Sequence, residues 1–117
     1  MYSFSSTPCF NNAIKTQGAE LAWTPTDART VLQWLSVQQE IVLGGDILHR
    51  DRSYTYANWY YNPDPSLSVA ENSQKSCSTA MDYLEKYAQK CGNDYLVIIV
   101  VKDTHSIFEN DQGRLCD

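Results

Sequence analysis

The sequence predicts an α+β fold in a single domain over residues 1–117: a mainly antiparallel sheet backed by two or three helices, one of them long, over about 68–91. Three observations lead there. Two segments carry apolar residues at helical spacing behind threonine or serine caps. Several β-prone runs are separated by glycine, proline and asparagine turn signals. The order of these segments pairs strands beside one long helix instead of alternating them strictly, as a doubly wound sheet would. One core suffices at this length, and no repeat, low-complexity tract or linker divides the chain.

Along the chain, Thr7-Pro8 offers a cap with proline at the first helical position, and Gly18 offers a stop, so a first helix is expected between them. Thr24-Pro25 repeats the signal with Asp27 at the third position, where a carboxylate faces the positive end of the helix dipole. Ala28, Val31, Leu32 and Leu35 then follow at i, i+3, i+4 and i+7, which predicts an amphipathic helix over 25–37. Glu40 to Leu43 and Ile47-Leu48 are β-prone around Gly44-Gly45, and Ser53 to Tyr61 is rich in tyrosine and tryptophan. The charged run His49-Arg50-Asp51-Arg52 should connect two antiparallel strands, and Asn62-Pro63-Asp64-Pro65 should end the second one, since proline cannot sit in a central strand.

Ser68 and Glu71 form a capping box, from which Ser73, Cys77, Ala80, Leu84, Tyr87 and Cys91 step by three and four residues to Gly92. This is the long helix. The unbroken β-branched run Tyr95 to Val101 has strand length and calls for cover on both sides, so it belongs at the centre of the sheet. The tail 102–117 is expected to add a short edge strand or to fray.

Fourteen acidic against nine basic side chains leave a net charge of −5. That sign disfavours nucleic acid and anionic lipid as partners and suits a basic protein; plain solubility is the other explanation. No signal peptide is recognisable, and the longest apolar run is too short to span a bilayer, so we read the chain as cytoplasmic, with no membrane partner. Cys9, Cys77, Cys91 and Cys116 form no CxxC pair and have no histidine at ligand spacing. On one helix Cys77 and Cys91 would stand about 21 Å apart, against the roughly 7 Å that a disulfide allows, so reduced structural cysteines and no cofactor are expected.

Catalytic chemistry has two candidates. Asp46, His49 and Asp51 could bind a metal or run acid–base chemistry, but alternation along a strand places them on different faces. A glycine bulge with Asp46 bonded to nearby backbone N–H groups explains the same residues. Asp103, His105 and Ser106 are too close in sequence to form a triad. No P-loop, GxGxxG or HExxH occurs, so no catalytic and no metal residue is assigned.

Tyr54, Tyr56, Trp59, Tyr60 and Tyr61 crowd into eight positions. Alternation puts Tyr54, Tyr56 and Tyr60 on one face and Trp59 and Tyr61 on the other. One face can be core; the other meets a helix, a partner or water, and both assignments stay open. Aromatic rings beside Asp46, Asp51 and Asp64 are what protein interfaces favour, with tyrosine and tryptophan giving contact area and carboxylates steering a basic partner. These eight residues form the candidate partner surface. Trp59→Ala or Asp46→Ala is expected to weaken partner binding by more than about 1 kcal/mol with the fold intact.

Gly18-Ala-Glu-Leu-Ala-Trp23, Gly44-Gly45-Asp46, Tyr54-Thr-Tyr56 leading to Trp59-Tyr60, and Ser76, Ala80 and Tyr83 on the long helix resemble the immunity protein 40 family of bacterial polymorphic toxin systems. The resemblance covers residues about 10–101. It implies an α+β protein, made beside a toxin, that binds and neutralises it in the producing cell, with no catalytic residues. The partner would be the toxin domain, expected to be basic because that suits an acidic inhibitor, and the protein a monomer or weak homodimer. A small metal-dependent hydrolase using Asp46, His49 and Asp51, or a scaffold that oligomerises through a strand edge, are the alternatives.

Overall fold

Sequence-local signals set both helices of the computed structural model, which describes residues 7–16 and 20–102. Helix α1 spans Pro25–Val37; the Thr24 side chain accepts from the Asp27 N–H, and Pro25, Ala28, Val31, Leu32 and Leu35 form its buried stripe. Helix α2 spans Val69–Cys91 behind a complete capping box in which Ser68 and Glu71 bond each other's backbone N–H groups, and Gly92 at φ 80° stops it. Both ends follow from these caps, because a cap satisfies N–H or C=O groups that would otherwise lack an intrahelical partner.

Five strands, β1 (Ile14–Lys15), β2 (Leu21–Trp23), β3 (Val42–Leu48), β4 (Tyr54–Tyr60) and β5 (Leu96–Val101), form one sheet in the order β1-β2-β5-β3-β4. Every neighbouring pair is antiparallel. The apolar run 95–101 thus supplies the central strand, as its composition requires. Val97, Ile99 and Val101 face the two helices in the main core, with Trp23, Leu32, Leu35, Ile47, Trp59 and Leu84. The opposite face carries a second buried cluster, Ala22, Leu48, Leu96 and Ile98, with Ile14 packed against it.

The N-terminal helix expected between Thr7 and Gly18 is a correction. A single 3-10 turn, Phe10–Asn12, stands there, followed by β1. Cys9 adopts φ 61°, a left-handed conformation that an α-helix cannot continue through. No residue of the turn is buried, so it has no apolar face for a core to hold. Glu40 and Ile41 lie outside the strand expected to begin at Glu40, which instead runs unbroken through Gly44-Gly45. Gly18 and the tail from residue 103 lie outside the described residues.

Buried serines and an asparagine fix α2 against the sheet. Ser76 Oγ accepts from the Val42 N–H at 2.9 Å and donates to the Ser73 carbonyl, while Ser73 Oγ donates to the Glu40 carbonyl at 2.6 Å. Asn72, 4% exposed, accepts from the Tyr61 hydroxyl at 2.6 Å and from the Asp64 N–H at 2.8 Å, and donates back to the Asp64 carbonyl. The turn after β4 is therefore tied to the first turns of α2. Such bonds make the start of β3 and the end of β4 rigid, because an unpaired buried partner costs about 1–3 kcal/mol.

Candidate functional site

Strand β4 sits at the edge of the sheet, and its two faces differ in composition. On the inner face Trp59 is 7% exposed, with Ala57 packed against the core beside it. Its indole stacks on Tyr83 at 5.2 Å; Tyr83 stacks on Tyr87 at 6.3 Å, and Tyr87 meets Tyr95 edge-on at 4.8 Å. This ladder joins β4, α2 and the start of β5. Burial, then the neighbouring Tyr87 and Cys91, hold the Tyr83 hydroxyl above its ordinary value. The Trp59 Nε1–H has no hydrogen-bond partner among the described residues, so the indole is held by packing.

Gly45 is a requirement of that indole. A Cβ there would collide with the Ile98 carbonyl and with the far edge of the Trp59 ring. Gly44, at φ 154°, lies equally close to the β4 backbone, at the Trp59 carbonyl and Tyr60 Cα. The ladder between β3 and β5 shifts register between Val42 and Gly44, which is the glycine bulge expected from the sequence. The side chain of Asp46, half-buried, makes no hydrogen bond within the described residues, so the side-chain bonds to backbone N–H groups expected of it are not made there.

On the outer face, Tyr54, Tyr56 and Tyr60 are 49%, 87% and 74% exposed. Cross-strand register places Tyr60, Gly44 and Val100 in one row, Asn58, Asp46 and Ile98 in the next, and Tyr54, Leu48 and Leu96 in a third. Among the described residues, six large hydrophobic side chains are exposed, and four of them, Tyr54, Tyr56, Tyr60 and Val100, belong to this end of the sheet. The other two, Val37 and Val69, lie singly at helix ends and need no explanation.

Tyr56 owes its position to a bulge. Between the Asp46–Asn58 and Leu48–Tyr54 pairs, β4 has two more residues than β3. The Thr55 hydroxyl repairs the ladder, donating to the Ile47 carbonyl at 2.8 Å and accepting from the Ala57 N–H at 3.0 Å. Tyr56 is left at φ 69°, a left-handed conformation that costs a non-glycine residue about 1–2 kcal/mol. Its ring stands 6.5 Å from that of Tyr54. The same bulge interrupts the free edge of β4, a common protection against strand addition.

The remaining candidates lie elsewhere. Tyr61 is half-buried and bonded to Asn72. Asp51 and Asp64 each hold a turn: one oxygen of Asp51 accepts from the Ser53 N–H at 2.9 Å and hydroxyl at 2.6 Å, and Asp64 repeats this with Ser66 at 2.9 and 2.7 Å. These bonds hold both carboxyls below their ordinary values, the hydroxyl contributing most. His49 and Asp51 stand in the β3–β4 turn while Asp46 stands on the sheet, and no three His, Cys, Asp or Glu side chains converge on a metal position among the described residues. Trp59 is enclosed in the core, so Trp59→Ala is now expected to destabilise the fold, which corrects the outcome expected from the sequence.

Three residues at this end of the sheet are not among the site residues expected from the sequence. Asn58 shares the parity of Tyr54, Tyr56 and Tyr60, which was enough to find it. Val100 was hidden in an apolar run whose exposed member alternation alone does not identify. Thr55 forms the bulge, and a hydroxyl side chain next to an aromatic run carries no distinctive signal.

These features define an α+β domain whose sheet face opposite α1 and α2 displays aromatic side chains at the β3–β4 end. The model of the family described as immunity protein 40 matches residues 12–101. The chain belongs to that family, as the resemblance of its motifs implied. No curated protein and no solved structure is detectably similar to it. No helix of the described residues is long and apolar enough to cross a membrane.

Proposed function

We propose that this immunity protein binds and neutralises a cognate bacterial toxin in the cytoplasm of the producing cell, using the outer face of β4 and the adjoining part of β3. The observation that carries the reading is Tyr56. Among the described residues it is the most exposed of the large hydrophobic side chains, and it is held in a conformation that favours glycine. A strained, outward-facing aromatic residue kept in place by a dedicated hydroxyl contact is what a function other than folding would select for.

Tyrosine provides a large, stiff contact area at small entropic cost, and the Trp59 ladder beneath makes the strand rigid before the partner arrives; both favour tight capture. The net charge of −5 suits a basic toxin domain, which it would steer into encounter. On this reading the role is stoichiometric, with no catalytic step and no cofactor, and the free protein is a monomer or weak homodimer. Co-expression with the toxin encoded beside it tests the reading. Growth should be rescued by the wild type and lost with Tyr54→Ala/Tyr56→Ala/Tyr60→Ala, whose melting should stay within a few degrees of wild type. Rescue by the triple variant would overturn the assignment of this face, and failure of the wild type would overturn neutralisation itself.

A further inference from the structure

We infer that the depression between Tyr60 and Val100 receives a single arginine side chain of the partner; this rests on the neutralisation reading for the source of that arginine. The shape follows from the register. Gly44 lies between Val100 and Tyr60 in one cross-strand row, so a glycine leaves a gap two strand spacings wide, about 9–10 Å between flanking Cα atoms. The gap cannot be filled by a larger residue at that position, because a Cβ there would strike the β4 backbone. The resulting depression of about 230 Å³ is lined by Leu43, Gly44, Asp46, Asn58, Tyr60 and Val100, among others.

Size and chemistry together choose the occupant. The volume falls short of the roughly 300–1,000 Å³ of small-molecule sites, which points to one side chain. One wall is the exposed ring of Tyr60, which can stack on a cation; the other is the aliphatic Val100. Asp46, in the next row, lines the same depression, and its carboxylate makes no hydrogen bond within the described residues. Asn58 stands directly across from it on β4. A planar cation with several N–H donors satisfies the carboxylate and stacks on the ring at the same time. Guanidinium does both, whereas an ammonium group offers only a point charge. The overall acidity of the chain agrees with a cationic guest.

Two experiments decide it. In the first, isotope-labelled protein is titrated with N-acetyl-arginine amide, and the backbone amides of Gly44 and Gly45 and the side-chain amide of Asn58 are followed by NMR. Saturable shifts confined to these groups are expected, absent with the neutral isostere N-acetyl-citrulline amide, weaker with the lysine derivative, and abolished by Asp46→Asn. Equal shifts with citrulline or lysine, or shifts that survive Asp46→Asn, overturn the inference. In the second, binding of the cognate toxin is measured at several salt concentrations. Asp46→Asn should raise Kd by about tenfold or more and flatten its salt dependence. If Asp46→Asn leaves Kd unchanged while Tyr56→Ala raises it, the arginine site is wrong and neutralisation stands. If the wild type fails to bind the toxin, the neutralisation reading falls, and the small-molecule titration still decides the site.

Discussion

The inner and outer faces of β4 lie on one strand, yet their surroundings differ. Every inner residue has structural work: Trp59 stacks on Tyr83 and covers Gly45, and Ala57 packs against the same core. The motif residues Trp23, Ser76 and Ala80 are likewise buried, as core packing or as a hydrogen-bond anchor. Outer residues Tyr54, Tyr56 and Tyr60 stand exposed, and one of them strains the backbone. A family signature can thus mix buried and exposed residues, and membership alone does not separate the two. The parity of the strand does.

The comparison breaks most visibly at Trp59. Replacing it with alanine empties the centre of the aromatic ladder and should destabilise the fold by about 3–5 kcal/mol, read as a shift in the urea midpoint. Tyr60→Ala, next along the strand, should leave that midpoint within about 0.5 kcal/mol and weaken toxin binding by about 2 kcal/mol or more. If the two variants behaved alike in either assay, the division between the faces would be wrong. Ser76→Ala probes the scaffold away from β4. It leaves the buried Val42 N–H without its acceptor and should cost about 1–3 kcal/mol of stability, again by urea titration.

How much of this was legible in the sequence depends on whether local chemistry decides the element. Thr24-Pro25 with Asp27, and Ser68 with Glu71, mark their helix starts through side-chain caps that act within a turn, and the structure uses both. The run 95–101 announces a central strand because its β-branched residues leave no polar face. Strands β1 and β2 were not foreseen, since two or three residues are too few to show a period; β1 is held by pairing with β2, and β2 by pairing with the central strand β5. The Thr7 cap misled for the complementary reason: a start signal without a following apolar stripe has nothing to pack. At the site, alternation sorted the tyrosines from Trp59, but the bulge at Thr55–Tyr56 was invisible, because no glycine or asparagine marks its left-handed position.

That bulge permits a finer test. Tyr56→Gly removes the left-handed penalty of about 1–2 kcal/mol and adds part of it back as chain entropy in the unfolded state, so stability should rise by up to about 1 kcal/mol. Toxin binding should fall in the same variant. A gain in stability together with a loss of binding is the signature of strain kept for a partner, whereas a loss of both would place Tyr56 in the scaffold.

The smallest expected effect concerns the two aspartates that hold turns. Ser53 and Ser66 bond the ionised forms of Asp51 and Asp64 and lower their pKa, so each contributes stability that is fully present above the unfolded value of about pH 4 and is lost as pH falls through the folded one. Asparagine can keep the same turns without titrating. The Asp51→Asn/Asp64→Asn double variant should therefore lose less stability than wild type between neutral pH and about pH 3, measured as the difference in urea midpoints. Because both groups are fully exposed, solvent screening keeps that difference small. Toxin binding at neutral pH should depend on them far less than on Tyr60, since their carboxylates are already engaged by their own loops.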